Sequence, residues 1–520
     1  MKRKSKNLIK KSSAILLMLL LFCSVFENIT LAQGSQARIK IDIEREIGDI
    51  NKMIYGNFVE HLGRCIYGGI YEPGSPLSDE NGFRKDVISA TKQLNVPIVR
   101  WPGGNFVSGY HWEDGIGPKD LRPTRIDLAW GFREDNSFGT DEFVDWCREV
   151  DTEPYFCVNL GTGTFDEARN WVEYCNVEKG TYYSDLRIKN GHVEPHKVIY
   201  WALGNELDGS WQMGHKNAED YGKYALETAK LMKWIDSDIK LVAAGSSNYR
   251  ADWIHWNRVV LGYLKNHVDY IALHNYTGNR NNDYYEFMAS TQLAEKAIEV
   301  TKGLIQETLL KSQRRDPIYI AFDEYNVWYR AHGNEGNEEI YNLEDALVVA
   351  SYLNIFVRNA DIVKMANMAQ LVNVIAPIFT SPEGSWYQTI FYPLEIFANN
   401  CHGRSLQTFV DCPTYKLQDN DIPYLDVSSA YNIDKNELII NVINRHKDNS
   451  IVTDILSQFG IFSGSATVFE VNGDGIKDQN SADEQLVKTI TKEVKVKGDS
   501  FTYNFPAHSY TMIKIPLDTK

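Results

Sequence analysis

Eight short apolar runs recur between Ile54 and Asn373, and the stretches between them carry helical periodicity. They are Ile54 to His61, Pro97 to Gly103, Pro154 to Gly161, Val198 to Glu206, Lys240 to Ser246, Val268 to Tyr276, Pro317 to Asn326 and Val363 to Asn373. Runs of that length flanked by turn-formers are the pattern of strands buried on both faces. Between them, Phe83, Val87 and Leu94 share one helical face, and Phe143, Cys147 and Val150 share another. Tyr221, Ala225, Thr228, Met232 and Ile235 share a third. Strands and helices alternating in this way predict an α/β chain built on a (β/α)8 barrel.

The runs end on polar side chains: Glu60-His61, Arg100-Trp101, Asn159, Asn205-Glu206, Ser246-Ser247, His274-Asn275-Tyr276, Asp323-Glu324 and Gln370. Such barrels build their sites at the C-terminal ends of the strands. Two endings place a glutamate directly after a buried run, Glu206 after Tyr200-Trp201-Ala202-Leu203 and Glu324 after Ile318-Tyr319-Ile320-Ala321-Phe322. A carboxylate there is costly to keep charged unless it is paired or open to water. Either glutamate alone could be a polar strand stop. Together, with Asn205 and Tyr325 beside them, they form a candidate pair.

After about residue 380 the helical periodicity fades into short alternating segments: Tyr424 to Val427, Glu437 to Asn444, Ala466 to Val471, Leu486 to Val496, Phe501 to Phe505 and Tyr510 to Ile515. This spacing predicts an antiparallel, jelly-roll-like β-sandwich. Ala37 to Glu44 alternates in the same way and is expected to join it. The expected organisation is therefore a signal peptide over 1–33, an N-terminal strand of the sandwich over 34–50, a catalytic barrel over 51–380 and the sandwich over 381–520. Asn472-Gly473-Asp474-Gly475 with Asp478 has part of a calcium-loop pattern, but Ser481 stands where a bidentate Glu belongs, and a surface turn is the better reading.

Charge excludes one class of partner. With 69 Asp and Glu against 54 Lys and Arg the chain is acidic, whereas phosphate-rich partners demand a basic face, so no nucleic acid is expected. Aromatic content of 12% suits sugar faces as well as cores. Lys2, Arg3, Lys4, Lys6, Lys10 and Lys11 precede the apolar run Ala14 to Phe26, an order that predicts an exported protein. The run is short for a stable membrane span. Cys23 follows bulky Phe22, a poor context for lipid anchoring. Cys147 and Cys157 fall on apolar faces and read as buried thiols, Cys401 and Cys412 are the one plausible disulfide pair, and no spacing matches a zinc site.

Paired carboxyls from two strands suit glycosidic-bond hydrolysis, in which one protonates the leaving oxygen and the other attacks the anomeric carbon or activates water. The local motifs carry a resemblance. Glu60-His61-Leu62-Gly63-Arg64 with Tyr67-Gly68-Gly69-Ile70-Tyr71-Glu72, then Arg100-Trp101-Pro102-Gly103-Gly104-Asn105-Phe106, Gly204-Asn205-Glu206-Leu207-Asp208-Gly209 and Asp323-Glu324-Tyr325-Asn326-Val327-Trp328-Tyr329 resemble the family 51 α-L-arabinofuranosidases, in the family's order. The resemblance runs from about residue 38 to the C-terminus.

It implies a retaining exo-glycosidase that releases terminal arabinofuranosyl residues from arabinoxylan, arabinan and their oligosaccharides. Glu206 would be the general acid/base and Glu324 the nucleophile. A partly apolar strand end close to a second carboxylate favours the protonated form that an acid needs. The resemblance also places Glu60, Asn105, Asn205, Tyr276 and Gln370 around the furanose, Trp328 as an apolar wall and His274 behind the reacting groups. Some members carry cysteine where Asn105 stands. No cofactor or metal is implied, and the family suggests a homo-oligomer. An endoglucanase or β-xylosidase on the same fold, or a non-catalytic carbohydrate-binding protein, are the alternatives.

Overall fold

The computed structural model describes residues 36–249, 252–331 and 337–519. Eight parallel strands close into a barrel in chain order: Gly56–Phe58, Ile98–Trp101, Glu153–Cys157, Tyr200–Leu203, Lys240–Ala243, Tyr270–Thr277, Tyr319–Val327 and Val363–Ala369. The last strand pairs back to the first, Asn367 beside Gly56. Each strand starts within two residues of one of the eight apolar runs, and several stop three or four residues short of the run's end.

The strands alternate between two cores, as a period of two requires. Ile98, Tyr155, Cys157, Ala202, Val242, Ala272 and Ala321 belong to an inner cluster, whereas Val99, Trp101, Phe156, Trp201 and Leu203 pack among the surrounding helices. Small residues on the inner face leave room above them for large polar side chains at the strand ends.

The helix Leu343–Arg358 is buried along its whole length up to Val357, and its sequence is apolar on nearly every face. A helix of that kind must be covered on both sides. One side meets the barrel; the other meets the C-terminal sheet, where Ser428 donates to Asn354 at 2.6 Å and Arg358 pairs with Asp426 at 2.5 Å.

The sheet has ten strands and its own apolar core, with Ile39, Leu406, Ile440, Ile455, Val468, Phe505 and Ile513 fully buried or nearly so. The N-terminal strand Ala37–Asp49 lies inside it, antiparallel to Arg404–Asp411 and parallel to Ile451–Ser457. At one end of the strand order stands Lys488–Lys495 and at the other Ser500–Phe505. Lys492 nevertheless lies over the Tyr503 ring at 5.6 Å, so the sheet curls until its two ends face each other. That closure protects edges that would otherwise template pairing.

Two details differ from the sequence reading. Phe391–Asn400 is a helix, although the stretch beyond residue 380 was expected to hold strands; Phe391, Leu394, Ile396 and Phe397 bury one of its faces against the barrel layer. The proposed Cys401–Cys412 disulfide does not form, and all six cysteines of the described residues are free. Cys401 sits at the end of that helix, facing Asn441, and the extended strand Arg404–Asp411 carries Cys412 away by roughly 25 Å. The Asn472–Asp478 segment is a turn closed by Asp478 on the Gly475 amide, and it docks through Ile476 and Asp478 carbonyls on the first amides of Leu343–Arg358.

Candidate active site

The fourth strand ends at Leu203, and the chain then turns through Gly204 at φ 81° and Glu206 at φ 46°. A Cβ at Gly204 would meet Leu207 at 2.9 Å and Leu160 at 3.0 Å, so only glycine fits. Glu206 itself holds a left-handed backbone that a glutamate rarely adopts, a strain of the kind found where a side chain must be aimed. Its Oε2 accepts from the Trp211 indole at 2.7 Å, and its Oε1 lies 2.9 Å from His274 Nδ1.

Glu324, expected at a strand end, instead lies within the seventh strand, because the pairing continues past it to Val327. The pairing of that strand with the sixth slips between Ala321 and Glu324, a bulge that breaks the usual in-and-out alternation. Asp323 and Glu324 consequently both reach the barrel interior. Glu324 Oε1 accepts from Arg100 Nη1 at 2.6 Å and Oε2 from the Tyr276 hydroxyl at 2.8 Å. Asp323 accepts from Tyr155 at 2.8 Å and lies 3.1 Å from His274 Nε2.

His274 is the pivot between the two glutamates. Its Nδ1 stands 2.9 Å from Glu206 and 3.5 Å from Glu324. The facing oxygens of Glu206 and Glu324 and this nitrogen all lie within 4.8 Å of one another. Burial alone would lower the imidazole's proton affinity, but Glu324, Asp323 and Glu206 together hold its pKa well above the ordinary value. Burial likewise opposes the charge of Arg100, and Asp323 and Glu324 restore it. Asp323 is held below the usual carboxylate range: burial acts against its charge, and Arg100 and His274 outweigh that. These three atoms are close enough to hold a metal ion, yet the Arg100 cation bonded to Glu324 opposes a second cation there.

Glu60 forms the opposite wall. Its Oε1 accepts from the Phe106 amide at 3.0 Å and the Trp130 indole at 3.1 Å, and it exchanges two 3.1 Å bonds with Gln370. Burial, helped by the Glu324 charge and opposed by the Phe106 amide, pushes its pKa up to about 8. The Gly103-Gly104 turn is shaped by this side chain, since a Cβ at Gly103 would meet Glu60 Cγ at 2.8 Å.

Glu60, Asn105, Asn205, Glu206, Tyr276, Glu324, Trp328 and Gln370 line one cavity of about 440 Å³. His274 lies beneath its floor, against both glutamates. Arg100 and Asp323, though noted as strand-end residues, were not assigned to the site from sequence; a charged residue ending a buried run was the available signal. Trp130 and Trp211 line the cavity from loops that carry no periodicity and hence no signal.

The profile of the α-L-arabinofuranosidase 1 domain matches residues 90–294, and that of the α-L-arabinofuranosidase C-terminal domain matches residues 323–509. The intracellular exo-α-(1→5)-L-arabinofuranosidase 1 of Bacillus subtilis is 47% identical over 79% of this chain and 85% of its own length. The intracellular exo-α-(1→5)-L-arabinofuranosidase of Halalkalibacterium halodurans is 42% identical over 92% of this chain and 99% of its own. The crystal structure of the Thermotoga maritima α-L-arabinofuranosidase in complex with arabinose superposes with a TM-score of 0.86 at 41% identity, covering 92% of this chain and 99% of that one.

These relatives overturn the expectation of export, because both bacterial enzymes are named intracellular. A basic stretch followed by a short apolar run is a compositional pattern, and the residues that suggested it lie outside the described ones. No helix among the described residues is long and apolar enough to cross a membrane. From the matched profiles and the extent of these similarities, the chain belongs to the glycoside hydrolase family 51 α-L-arabinofuranosidases.

Proposed function

We propose that the protein is a retaining, exo-acting α-L-arabinofuranosidase that removes terminal non-reducing arabinofuranosyl residues from arabinan, arabinoxylan and their oligosaccharides. The observation that carries this reading is the separation of the Glu206 and Glu324 oxygens, no more than 4.8 Å across one cavity. Retaining enzymes hold their carboxyls about 5 Å apart, whereas inverting ones leave a wider gap for water. The exo mode follows the relatives, both of which are named exo-acting.

In this reading Glu324 attacks the anomeric carbon while Glu206 gives its proton to the departing oxygen. Glu206 then takes a proton from the water that releases the sugar. Arg100 and Tyr276 each bond one oxygen of Glu324, which fixes the carboxylate plane for attack. Asn205 Oδ1 accepts from Arg100 at 2.6 Å, and its Nδ2 bonds no group among the described residues, so that amide donates to the sugar 2-hydroxyl. Glu60, Asn105 and Gln370 hold the remaining hydroxyls, and Trp328, edge-on to Tyr276 at 5.5 Å, walls the furanose.

A panel of nitrophenyl glycosides tests the specificity, with the α-L-arabinofuranoside expected to be cleaved fastest. Following the first-formed anomer by NMR tests the mechanism. Inverted product, or undiminished hydrolysis by Glu324→Ala, would overturn the assignment.

A further inference from the structure

A second constellation lies in the helical layer and shares no residue with the catalytic cavity. Asp141 stands on the helix Thr140–Glu149, and His192 and His196 stand four residues apart on the segment leading into the strand Tyr200–Leu203. Both imidazoles aim the same nitrogen at the same carboxylate. His196 Nε2 lies 2.8 Å from Asp141 Oδ1, and His192 Nε2 lies 3.9 Å from Asp141 Oδ2. The three donor atoms are all within 4.8 Å of one another.

The surroundings hold these groups in place. The Tyr174 hydroxyl lies 3.0 and 2.8 Å from the two oxygens of Asp141 and itself accepts from Asn190. The His196 backbone is pinned at both ends, its amide on Cys175 at 2.7 Å and its carbonyl under Arg148 at 2.8 Å. His192 Nδ1 faces Asp145 Oδ1 at 3.9 Å, so His192 has a carboxylate on each side of its ring and hydrogen-bond distance to neither. Asp141 and His196 are buried, while the His192 side chain is 25% exposed and opens the cluster to solvent.

We propose that Asp141, His192 and His196 form a binding site for a divalent transition-metal ion, zinc first. Two neutral imidazole nitrogens and one carboxylate suit zinc, with bonds of about 2.0–2.1 Å in a tetrahedron whose fourth place a water fills. Such ligands sit about 3.3 Å apart, so the 2.8 Å contact of His196 opens, while His192, 3.9 Å from the other Asp141 oxygen and within 4.8 Å of the remaining donor atoms, moves in. Tyr174 on Asp141 is an outer partner of the kind that orients a metal ligand, and Asp145 stands across the His192 ring, 3.9 Å from its Nδ1. The ion would tie the helix to the segment that enters the strand ending beside Glu206, a stabilising role separate from turnover.

The test uses the full-length protein stripped with a chelator. Zinc chloride is titrated calorimetrically, cobalt chloride is followed by visible absorption, and thermal unfolding is recorded with and without zinc. The expected result is one equivalent bound, an intense cobalt spectrum of low coordination number, and melting raised by about 3 °C at saturating zinc. His192→Ala, at a partly exposed position that the fold tolerates, removes a direct ligand and should weaken zinc binding by more than the roughly 100-fold that losing an outer partner costs, abolishing the thermal shift with kcat unchanged. A Glu206→Gln protein should bind zinc as the wild type does. The proposal is overturned if the wild type binds no stoichiometric zinc or cobalt, if His192→Ala binds zinc with undiminished affinity, or if binding is lost in Glu206→Gln, which would move the ion to the catalytic cavity.

Discussion

Arg100 donates a 2.6 Å hydrogen bond to Glu324 from a side chain that is 1% exposed. The same guanidinium holds Asn205, which neighbours Glu206, so one cation reaches both sides of the reacting centre. Its fork cannot be copied by a point charge.

Replacing that fork tests its role. Arg100→Met leaves Asp323 and Glu324 buried without their cation, a loss of about 3–5 kcal/mol of stability. We expect kcat/KM on an aryl arabinofuranoside to fall about 100-fold, the scale of a displaced reacting group. Arg100→Lys should recover much of the stability and little of the activity. Urea unfolding and steady-state kinetics on the three proteins measure both.

Glu206→Ala should discriminate between leaving groups. Loss of a positioned acid costs about 10²–10⁴-fold where the departing oxygen needs protonation, and far less where the leaving group is already stable. Arabino-oligosaccharides should therefore suffer much more than nitrophenyl arabinofuranoside. Equal losses on both would remove Glu206 from the acid role.

The Glu60 carboxyl makes stability depend on pH. Burial raises its folded-state pKa to about 8 from an ordinary value of 4.5. Between those values the folded chain holds a proton there that the unfolded chain has released, so this group's contribution to stability falls as pH rises. The loss across that window is on the order of a few kcal/mol. Glu60→Gln keeps an acceptor for Phe106 and Trp130, and it should flatten the decline in unfolding free energy measured from pH 5 to pH 8.

Asp426 works in the opposite sense. Burial opposes its charge, but Arg358 at 2.5 Å and Arg445 at 2.7 Å hold it below the usual carboxylate range. A depressed pKa gives stability that is present above the unfolded value and lost as pH falls through the folded one. Asp426→Asn should cost about 3–5 kcal/mol by leaving two arginines short of their partner. Because this triad joins the sheet to the helix Leu343–Arg358, far from the cavity, kcat per folded molecule should not change.

Glu206 and Glu324 were readable because burial of a parallel strand writes an apolar run into the chain, and a carboxylate stopping that run stands out even where, as at Glu324, the strand continues past it. Loop residues carry no such rhythm, so Trp130 and Trp211 had to await the fold. His274 was placed behind the reacting groups by resemblance alone; its contact with three carboxylates follows from geometry that spans the fourth, sixth and seventh strands. The helix Phe391–Asn400 was missed because Phe391, Tyr392, Pro393 and Leu394 follow one another without a polar residue between them, so the sequence shows no helical spacing even though the helix packs on the barrel layer.

By itself the sequence determined the order of eight strands and their helices, and it marked Glu206 and Glu324 as carboxylates that follow buried runs, because hydrophobic spacing is a local property that each segment carries alone. The tertiary structure decided what no segment encodes. Barrel closure brings the fourth and seventh strands to a common cavity, a bulge turns Asp323 inward beside Glu324, and the N-terminal strand enters a sheet completed more than 400 residues later. Each of these depends on pairing register and closure between distant strands, which are settled only when all of them pack together.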